Sequence, residues 1–358
     1  MKRTLLLLTT YFVLLSYTSV VSSSCSKDPA RIDTTDTTDT IIPPPPPPPP
    51  VPIQWTKLSD SINNGTVHRY LDAGVYNGKL YLAAMMRVTS GYKYGIFEYD
   101  STARSITESG NISTAQLEYS PMAFLLGNTY YIHTNVNNQV NVFRAFNLDS
   151  KTWSNKATLT IPGSMISPMK QCAFSMGNAG YIYYHSGSTT KAQILYKYDP
   201  VLNQWTQHTQ TLTTSSSIYS VPFINGNRAF FLTEDRKLTE YNTDSTGLMA
   251  RADFGDVGFR SAAFVIGDTA HITTVGEFSV GGSAPPADTV TSTNIHNNHW
   301  GYSISSNTWT RKSIFNGPKR AEAIGFVYNG KGYLLGGRVV DSVTKKATYI
   351  YDLWRYTP

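Results

Sequence analysis

Cysteine is scarce in this chain of 358 residues: there are two, Cys25 and Cys172. Cys172 lies in the apolar run Cys172-Ala173-Phe174, which reads as a buried, inert thiol rather than a nucleophile. Clustered positive charge is missing as well. The formal net charge is +6, of which the first 24 residues carry +2, residues 25–52 carry −2 and the remainder +6. Those Lys and Arg are scattered, which excludes a nucleic-acid footprint and leaves a mild bias towards an anionic ligand or surface. A long apolar run is also wanting. The stretch Thr4 to Val21 is interrupted by Thr9, Thr10, Tyr11, Ser16, Tyr17 and Thr18, and is marginal against the roughly 20 apolar residues that a membrane span needs.

What stands at the start is a different signal. Lys2 and Arg3 precede an apolar stretch centred on Leu5 to Leu8 and Phe12-Val13-Leu14-Leu15, and three serines lead to Cys25. This is the pattern of a secretory signal peptide over residues 1–24, which takes no part in the fold. Cys25, with the small Ser24 before it, resembles the lipidated cysteine of bacterial lipoproteins. Ser22 stands where that family usually has leucine, so cleavage by an ordinary signal peptidase stays open. The resemblance implies an acylated Cys25, no disulfide for Cys172, and an outer-membrane lipoprotein facing the periplasm or the cell surface. Ser26-Lys27-Asp28 resembles the short charged signals that send some such proteins to the surface.

Residues 25–52 read as that lipidated end followed by a linker. Asp-Thr-Thr triplets give way to an unbroken proline run from Pro43 to Pro50, a composition that cannot build a core. The prolines predict a polyproline II rod of about 25 Å at about 3.1 Å per residue, a spacer that holds a domain off a membrane. The triplets resemble O-glycosylation acceptors of some bacterial envelope proteins.

The remainder, 53–358, repeats. Apolar residues, a glycine-containing turn and an aromatic residue opening a second apolar run recur, as in Val75-Tyr76-Asn77-Gly78-Lys79-Leu80-Tyr81-Leu82. Further copies centre on Gly127-Asn128, Gly177-Asn178, Asn225-Gly226, Gly267-Asp268 and Asn329-Gly330. The aligned ring positions are Tyr81, Tyr131, Tyr181, Phe230, His271 and Tyr333, at spacings of 50, 50, 49, 41 and 62. Each copy predicts a tight β-hairpin. Between copies lies a second hairpin: an aromatic strand, a polar turn and a late apolar residue. Tyr198 to Trp205, Leu148 to Trp153 and Tyr302 to Trp309 are the clearest cases, with Tyr99 to Ile106 and Tyr241 to Leu248 weaker. Two hairpins make four strands per repeat.

A period near 50 with two hairpins and a late Trp resembles the kelch repeat. Asp352-Leu353-Trp354-Arg355-Tyr356 is similar to its third strand, and Gly336-Gly337 to its diglycine. The diglycine is Ala83-Ala84 in the first unit, absent from units two to four, and late in the fifth as Gly281-Gly282. The resemblance implies an all-β, six-bladed kelch-type β-propeller. Ile53-Gln54-Trp55-Thr56-Lys57-Leu58 has the pattern of a fourth strand, so an N-terminal strand is expected to close the last blade and protect its edge.

Ligands of kelch proteins usually sit over the central channel. The residues before the inner strands are therefore the candidates: Arg69, Glu118, Tyr119, Lys170, Tyr219, Arg260, Arg320 and Glu322. Arginine forks match carboxylates and tyrosine faces suit sugar rings. The loops joining second to third strands add Arg87, His133, His185, Glu234-Asp235-Arg236 and a long fifth-unit insertion from about Gly276 to Asn298. His296 and His299 have no third ligand at telling spacing, so neither a metal nor any other cofactor is implied.

Three function classes fit a propeller, whose fold names none of them. The first is a monomeric module at the envelope that binds glycan or another envelope protein. The second resembles kelch-type sialic-acid mutarotases, exchanging sugar anomers with an acid, a base and an arginine; Arg260 or Arg320 with Glu322 or Glu118 would serve. The third resembles galactose oxidase, but its cross-linked Cys–Tyr pair would need Cys172, and this reading is set aside. A channel carboxylate of raised pKa near an arginine separates the second class from the first.

Overall fold

The computed structural model describes residues 54–358 except 64, 89–90, 114–117, 137–139, 160–170, 186–191, 213–219, 234–235, 245–247, 257–260, 275 and 281–289. The expectations for residues 1–52, Cys25 included, lie outside the described residues.

The described chain is built of strands. After β1 (Trp55–Ser59), blade 1 comprises β2 (Val67–Tyr76), β3 (Lys79–Val88), β4 (Gly91–Asp100) and β5 (Ser105–Ser113). Blade 2 is β6 (Glu118–Leu126), β7 (Thr129–Val136), β8 (Val140–Asn147) and β9 (Thr152–Asn155). Blade 3 is β10 (Gln171–Met176), β11 (Ala179–His185), β12 (Ala192–Asp199) and β13 (Gln204–Leu212). Blade 4 is β14 (Ser220–Asn225), β15 (Arg228–Thr233), β16 (Leu238–Asn242) and β17 (Leu248–Ala250). Blade 5 holds β18 (Ala262–Ile266) and β19 (Thr269–Thr273), then an extra hairpin of β20 (Gly276–Val280) and β21 (Val290–Ile295), then β22 (His299–Ser303) and β23 (Thr308–Arg311). Blade 6 is β24 (Ile324–Tyr328), β25 (Lys331–Val340) and β26 (Ala347–Tyr356).

Blade 6 takes its fourth strand from β1, which pairs antiparallel to β26 with Trp55 opposite Tyr356. That register is the one the late apolar residues keep elsewhere: Tyr99↔Ile106, Phe146↔Trp153, Tyr198↔Trp205, Tyr241↔Leu248 and Tyr302↔Trp309. The six inner strands touch in a ring, β2–β6–β10–β14–β18–β24 and back to β2. This is the closed six-bladed β-propeller expected.

The inner hairpins use two turn chemistries. Asn77 and Gly78, and Asn329 and Gly330, both have positive φ, as a type I′ turn requires. At Gly127, Gly177, Gly226 and Gly267 only the first turn residue does, as in type II′. The fourth-unit turn is thus Gly226-Asn227 rather than Asn225-Gly226, since Asn225 ends β14.

Packing between blades rests on the aligned rings. In five blades the ring stacks on the inner-strand Phe directly opposite: Phe124–Tyr131, Phe174–Tyr181, Phe223–Phe230, Phe264–His271 and Phe326–Tyr333, with centroids 4.9 to 5.3 Å apart. Such a pair contributes about 0.5–1.5 kcal/mol beyond its buried area. The Phe then presses on the next blade. At Gly180 and Gly332 a Cβ would lie 2.3 Å from Phe124 and 2.1 Å from Phe264, so no larger residue fits there.

Two expectations are corrected. His133 is not in a loop but inside β7, opposite Met122 and Phe143, and is fully buried. The fifth-unit insertion is not an open loop at its base: it folds as the β20–β21 hairpin, and Ile295 packs on Ala321, Val340 and Ala347 of blade 6. Cys172 is buried in the blade 3–4 core with Phe174, Tyr183 and Phe231, as expected.

Candidate functional site

The central channel forms a cavity of about 810 Å³ lined by all six inner strands. Many of its lining residues are apolar, Met122, Phe124, Phe174, Phe223 and Phe264 among them, but most of the surface turned to the cavity is polar. Arg69, Asp72, Ser175 and Ser261 supply side-chain polarity.

Arg69 stands near the start of β2, half-buried, where the pairing to β3 shifts register between Val67 and Arg69. Its Nε is buried and meets no hydrogen-bond acceptor among the described residues. A guanidinium with an idle donor at a channel wall is suited to an anion.

Arg320, also a candidate for the ligand, is different. It is fully buried. Nη2 donates to Asp352 Oδ2 at 2.9 Å, and Nη1 donates to Asp352 Oδ1 at 2.5 Å and to the Gly336 carbonyl at 2.9 Å. Nε donates to the Pro318 carbonyl at 3.2 Å, and Trp354 Nε1 donates to Asp352 at 2.7 Å. All three guanidinium nitrogens are engaged by protein, because the chain before β24 folds onto β25 and β26.

That inward fold positions Glu322. Ala321 and Arg338 exchange two backbone hydrogen bonds, of 3.0 and 2.7 Å. A Cβ at Gly337 would lie 2.8 Å from the Ala321 carbonyl oxygen, so the diglycine is what lets the segment approach. Glu322 follows with φ of 60°, a conformation uncommon for a residue with a side chain. It is half-buried, accepts a 3.4 Å hydrogen bond from the Tyr349 hydroxyl, and directly precedes Ala323 of the channel wall. Around Tyr349 gather His68, with ring centroids 5.0 Å apart, and the Arg338 guanidinium, 5.1 Å above the ring; Tyr92 lies 6.1 Å beyond His68. Blades 1 and 6 therefore gather Glu322 and three half-buried rings around Tyr349, while Arg69 lines the cavity itself.

Glu118 and Tyr119 are in β6, opposite Val136 and Asn135, but their side chains, with Lys170, Tyr219 and Arg260, lie outside the described residues.

Asp72 was missed by sequence reasoning. It lines the cavity from the middle of β2. Burial pushes its carboxyl up to about 7, against the opposing effects of the Ala73 N–H and the Tyr130 hydroxyl. A signal for it exists in the aligned repeats. The equivalent inner-strand residues, two before the stacking position, are Met122, Cys172, Val221, Ala262 and Ile324, all apolar or weakly polar. One carboxylate in that column is the outlier.

The histidine pair expected in the insertion resolves otherwise. His299 opens β22 and its Nε2 meets His271 Nδ1 at 3.0 Å in a fully buried hydrogen bond. Among the described residues no group of three or more His, Cys, Asp or Glu is placed to hold a metal ion.

No family model matches the chain, and no curated protein matches it. Among solved structures 993 chains match, and so widely shared a fold cannot select a function. One, titled "Structure of YjhT", superposes with a TM-score of 0.58 over 83% of this chain and 96% of its own, at 10% sequence identity. Likeness at that identity establishes the propeller and nothing finer.

Proposed function

We propose that this propeller is a kelch-type binding module, tethered to the envelope through acylated Cys25 and its proline stalk, that takes an acidic glycan or another anionic envelope ligand at its channel. It acts as a monomer and has no nucleic-acid partner. One observation carries the ligand class: Arg69 lines the channel cavity, and its buried Nε has no acceptor among the described residues. An anion offered to it in that setting makes a charge-assisted hydrogen bond worth about 1.5–3 kcal/mol. The half-buried rings of His68, Tyr92 and Tyr349, which gather where blades 1 and 6 meet, suit a sugar face.

The test is binding of the full chain, in mild detergent, to a glycan panel that includes sialic acid and galacturonate. We expect a specific acidic-sugar ligand whose affinity falls at least about tenfold in Arg69→Ala. A blank panel from folded protein overturns the glycan reading and leaves a protein-binding scaffold.

A second reading is favoured by Asp72. A carboxyl that titrates near neutrality in one cavity with an arginine is what sugar anomer exchange needs. Anomer exchange on any acidic sugar that binds, followed by proton NMR, distinguishes the two: acceleration by the wild type and none by Asp72→Asn makes the protein an enzyme.

A further inference from the structure

We infer that the propeller takes an acidic oligosaccharide: one sugar enters the channel at Arg69, and its neighbours lie across the rim of blades 1 and 6, where Arg338 and Arg87 hold their acid groups. The inference deepens the acidic-glycan reading above and rests on it.

The rim is a surface of its own. Arg69 lines the channel cavity, whereas His68, Tyr92, Arg338 and Tyr349 do not. Yet His68 is the chain neighbour of Arg69, with Cα atoms about 3.8 Å apart. The register shift between Val67 and Arg69 makes His68 the inserted residue of a bulge in β2, a feature that re-aims side chains next to functional sites. Its carbonyl accepts the Tyr351 hydroxyl at 3.2 Å, which ties the bulge to blade 6. The two surfaces therefore adjoin within one residue of chain, close enough for neighbouring units of one glycan.

The rim carries rings in its middle and guanidinium groups at its ends. From blade 1 to blade 6 the order is Tyr92, His68, Tyr349, with successive centroids 6.1 and 5.0 Å apart. Each tyrosine sits directly opposite an arginine of the adjoining strand, Tyr92 opposite Arg87 and Tyr349 opposite Arg338, and residues so paired share a face. Arg87 is exposed and Arg338 half-buried. The Arg338 guanidinium lies 5.1 Å over the Tyr349 ring, which restrains it, and a restrained fork gives up less freedom on meeting a carboxylate. Glu322 accepts the Tyr349 hydroxyl at 3.4 Å and keeps that ring in place. Rings flanked by a cation at either end match a chain of sugar faces that bears an acid on each unit. Contacts made by a tethered second unit raise affinity because they are intramolecular.

The experiment is calorimetric titration of the full chain, in mild detergent, with two pairs of probes: galacturonate and trigalacturonate, and sialic acid and its α2,8-linked trimer. In at least one pair the longer probe is expected to bind about tenfold tighter or more, beyond what three copies of one unit supply by number. Arg338→Gln is expected to weaken the longer probe at least about fivefold more than the shorter, and Arg87→Gln, at an exposed position, to act in the same direction. Arg69→Ala is expected to weaken both probes. Equal affinity within each pair overturns the inference and leaves a single-sugar site at Arg69. A gain that survives both rim substitutions overturns the rim as its place. No binding of any probe by folded protein overturns the inference together with the reading beneath it.

Discussion

Two arginines that look alike in the sequence do opposite work, and the difference lies in what surrounds each guanidinium. Arg320 spends its donors on Asp352, Gly336 and Pro318 inside the protein, while Arg69 leaves Nε unused. Removing one partner of a fully desolvated ion pair strands the other charge, at a cost of about 3–5 kcal/mol. Arg320→Ala is therefore expected to lower the urea midpoint sharply, and Arg69→Ala to leave it within about 0.5 kcal/mol of wild type while losing ligand. An Arg320→Ala protein of wild-type stability would refute the structural role. The sequence shows arginine before three inner strands, but not that Asp352 in β26 claims one of them. Partner choice across a sheet is invisible without register. Asp72 was hidden for a related reason: a single acid on a strand reads as solvent-facing until the aligned repeats show apolar or weakly polar residues in the same column.

At the scale of the hairpin, more was legible. Turn glycines, the aligned rings and the late Trp positions all came from local pattern, because each is a nearest-neighbour constraint. What the late Trp does was not. In blade 3, Trp205 Nε1 donates to the Ala157 carbonyl at 2.9 Å, while Asn203 accepts the Ala157 N–H at 2.9 Å and the Tyr198 hydroxyl at 2.8 Å. In blade 5, Trp309 and Asn307 treat Ala252 and Tyr302 in the same way, at 2.9, 2.9 and 2.7 Å. Both asparagines sit just before the fourth strand with positive φ, 51° and 56°, a conformation asparagine tolerates better than most residues. The pair of side chains thus latches the chain leaving the preceding blade by both backbone groups. In blade 2 the positive-φ residue is Lys151, and Trp153 Nε1 is buried without a partner among the described residues. The latch predicts that Asn203→Ala costs about 1–3 kcal/mol, by stranding the Ala157 N–H and the Tyr198 hydroxyl and by straining the turn. Lys151→Ala, which strands nothing, is expected to cost well under 1 kcal/mol. Equal losses in denaturant melts would show that the backbone conformation, rather than the hydrogen bonds, carries the effect.

Over the whole molecule, the ring closes at one seam, where β1 completes blade 6 beside blade 5. Closure was readable in the sequence because Trp55 carries the late-Trp pattern, but the chemistry beneath it was not. The ring column of tyrosines and phenylalanine is broken by His271, and the third-strand column Ile96, Phe143, Leu195, Leu238, Leu353 is broken by His299. The two substitutions meet, with nitrogens 3.0 Å apart, under Trp55, Phe264 and Tyr356. Trp55 Nε1 and His299 Nδ1 are buried there with no partner among the described residues. Burial, with the charge of Lys312 adding to it, holds His271 down at about 4. Burial, then His271 and Lys312, holds His299 down at about 3. In the unfolded chain both titrate near 6.5. The unfolded state therefore binds more protons between those limits, so the seam's contribution is whole above about pH 6.5 and drains away as pH falls towards 4 and then 3. From pH 7.5 to 5 each histidine forfeits about 2 kcal/mol. The double variant His271→Tyr, His299→Leu, which restores the residues of the other blades, is expected to hold its urea midpoint over that range better than wild type. His133, also buried and held down at about 3, remains in both proteins, so it cancels in the difference. Parallel loss of midpoint in wild type and double variant would mean that the seam is not where acid enters the fold.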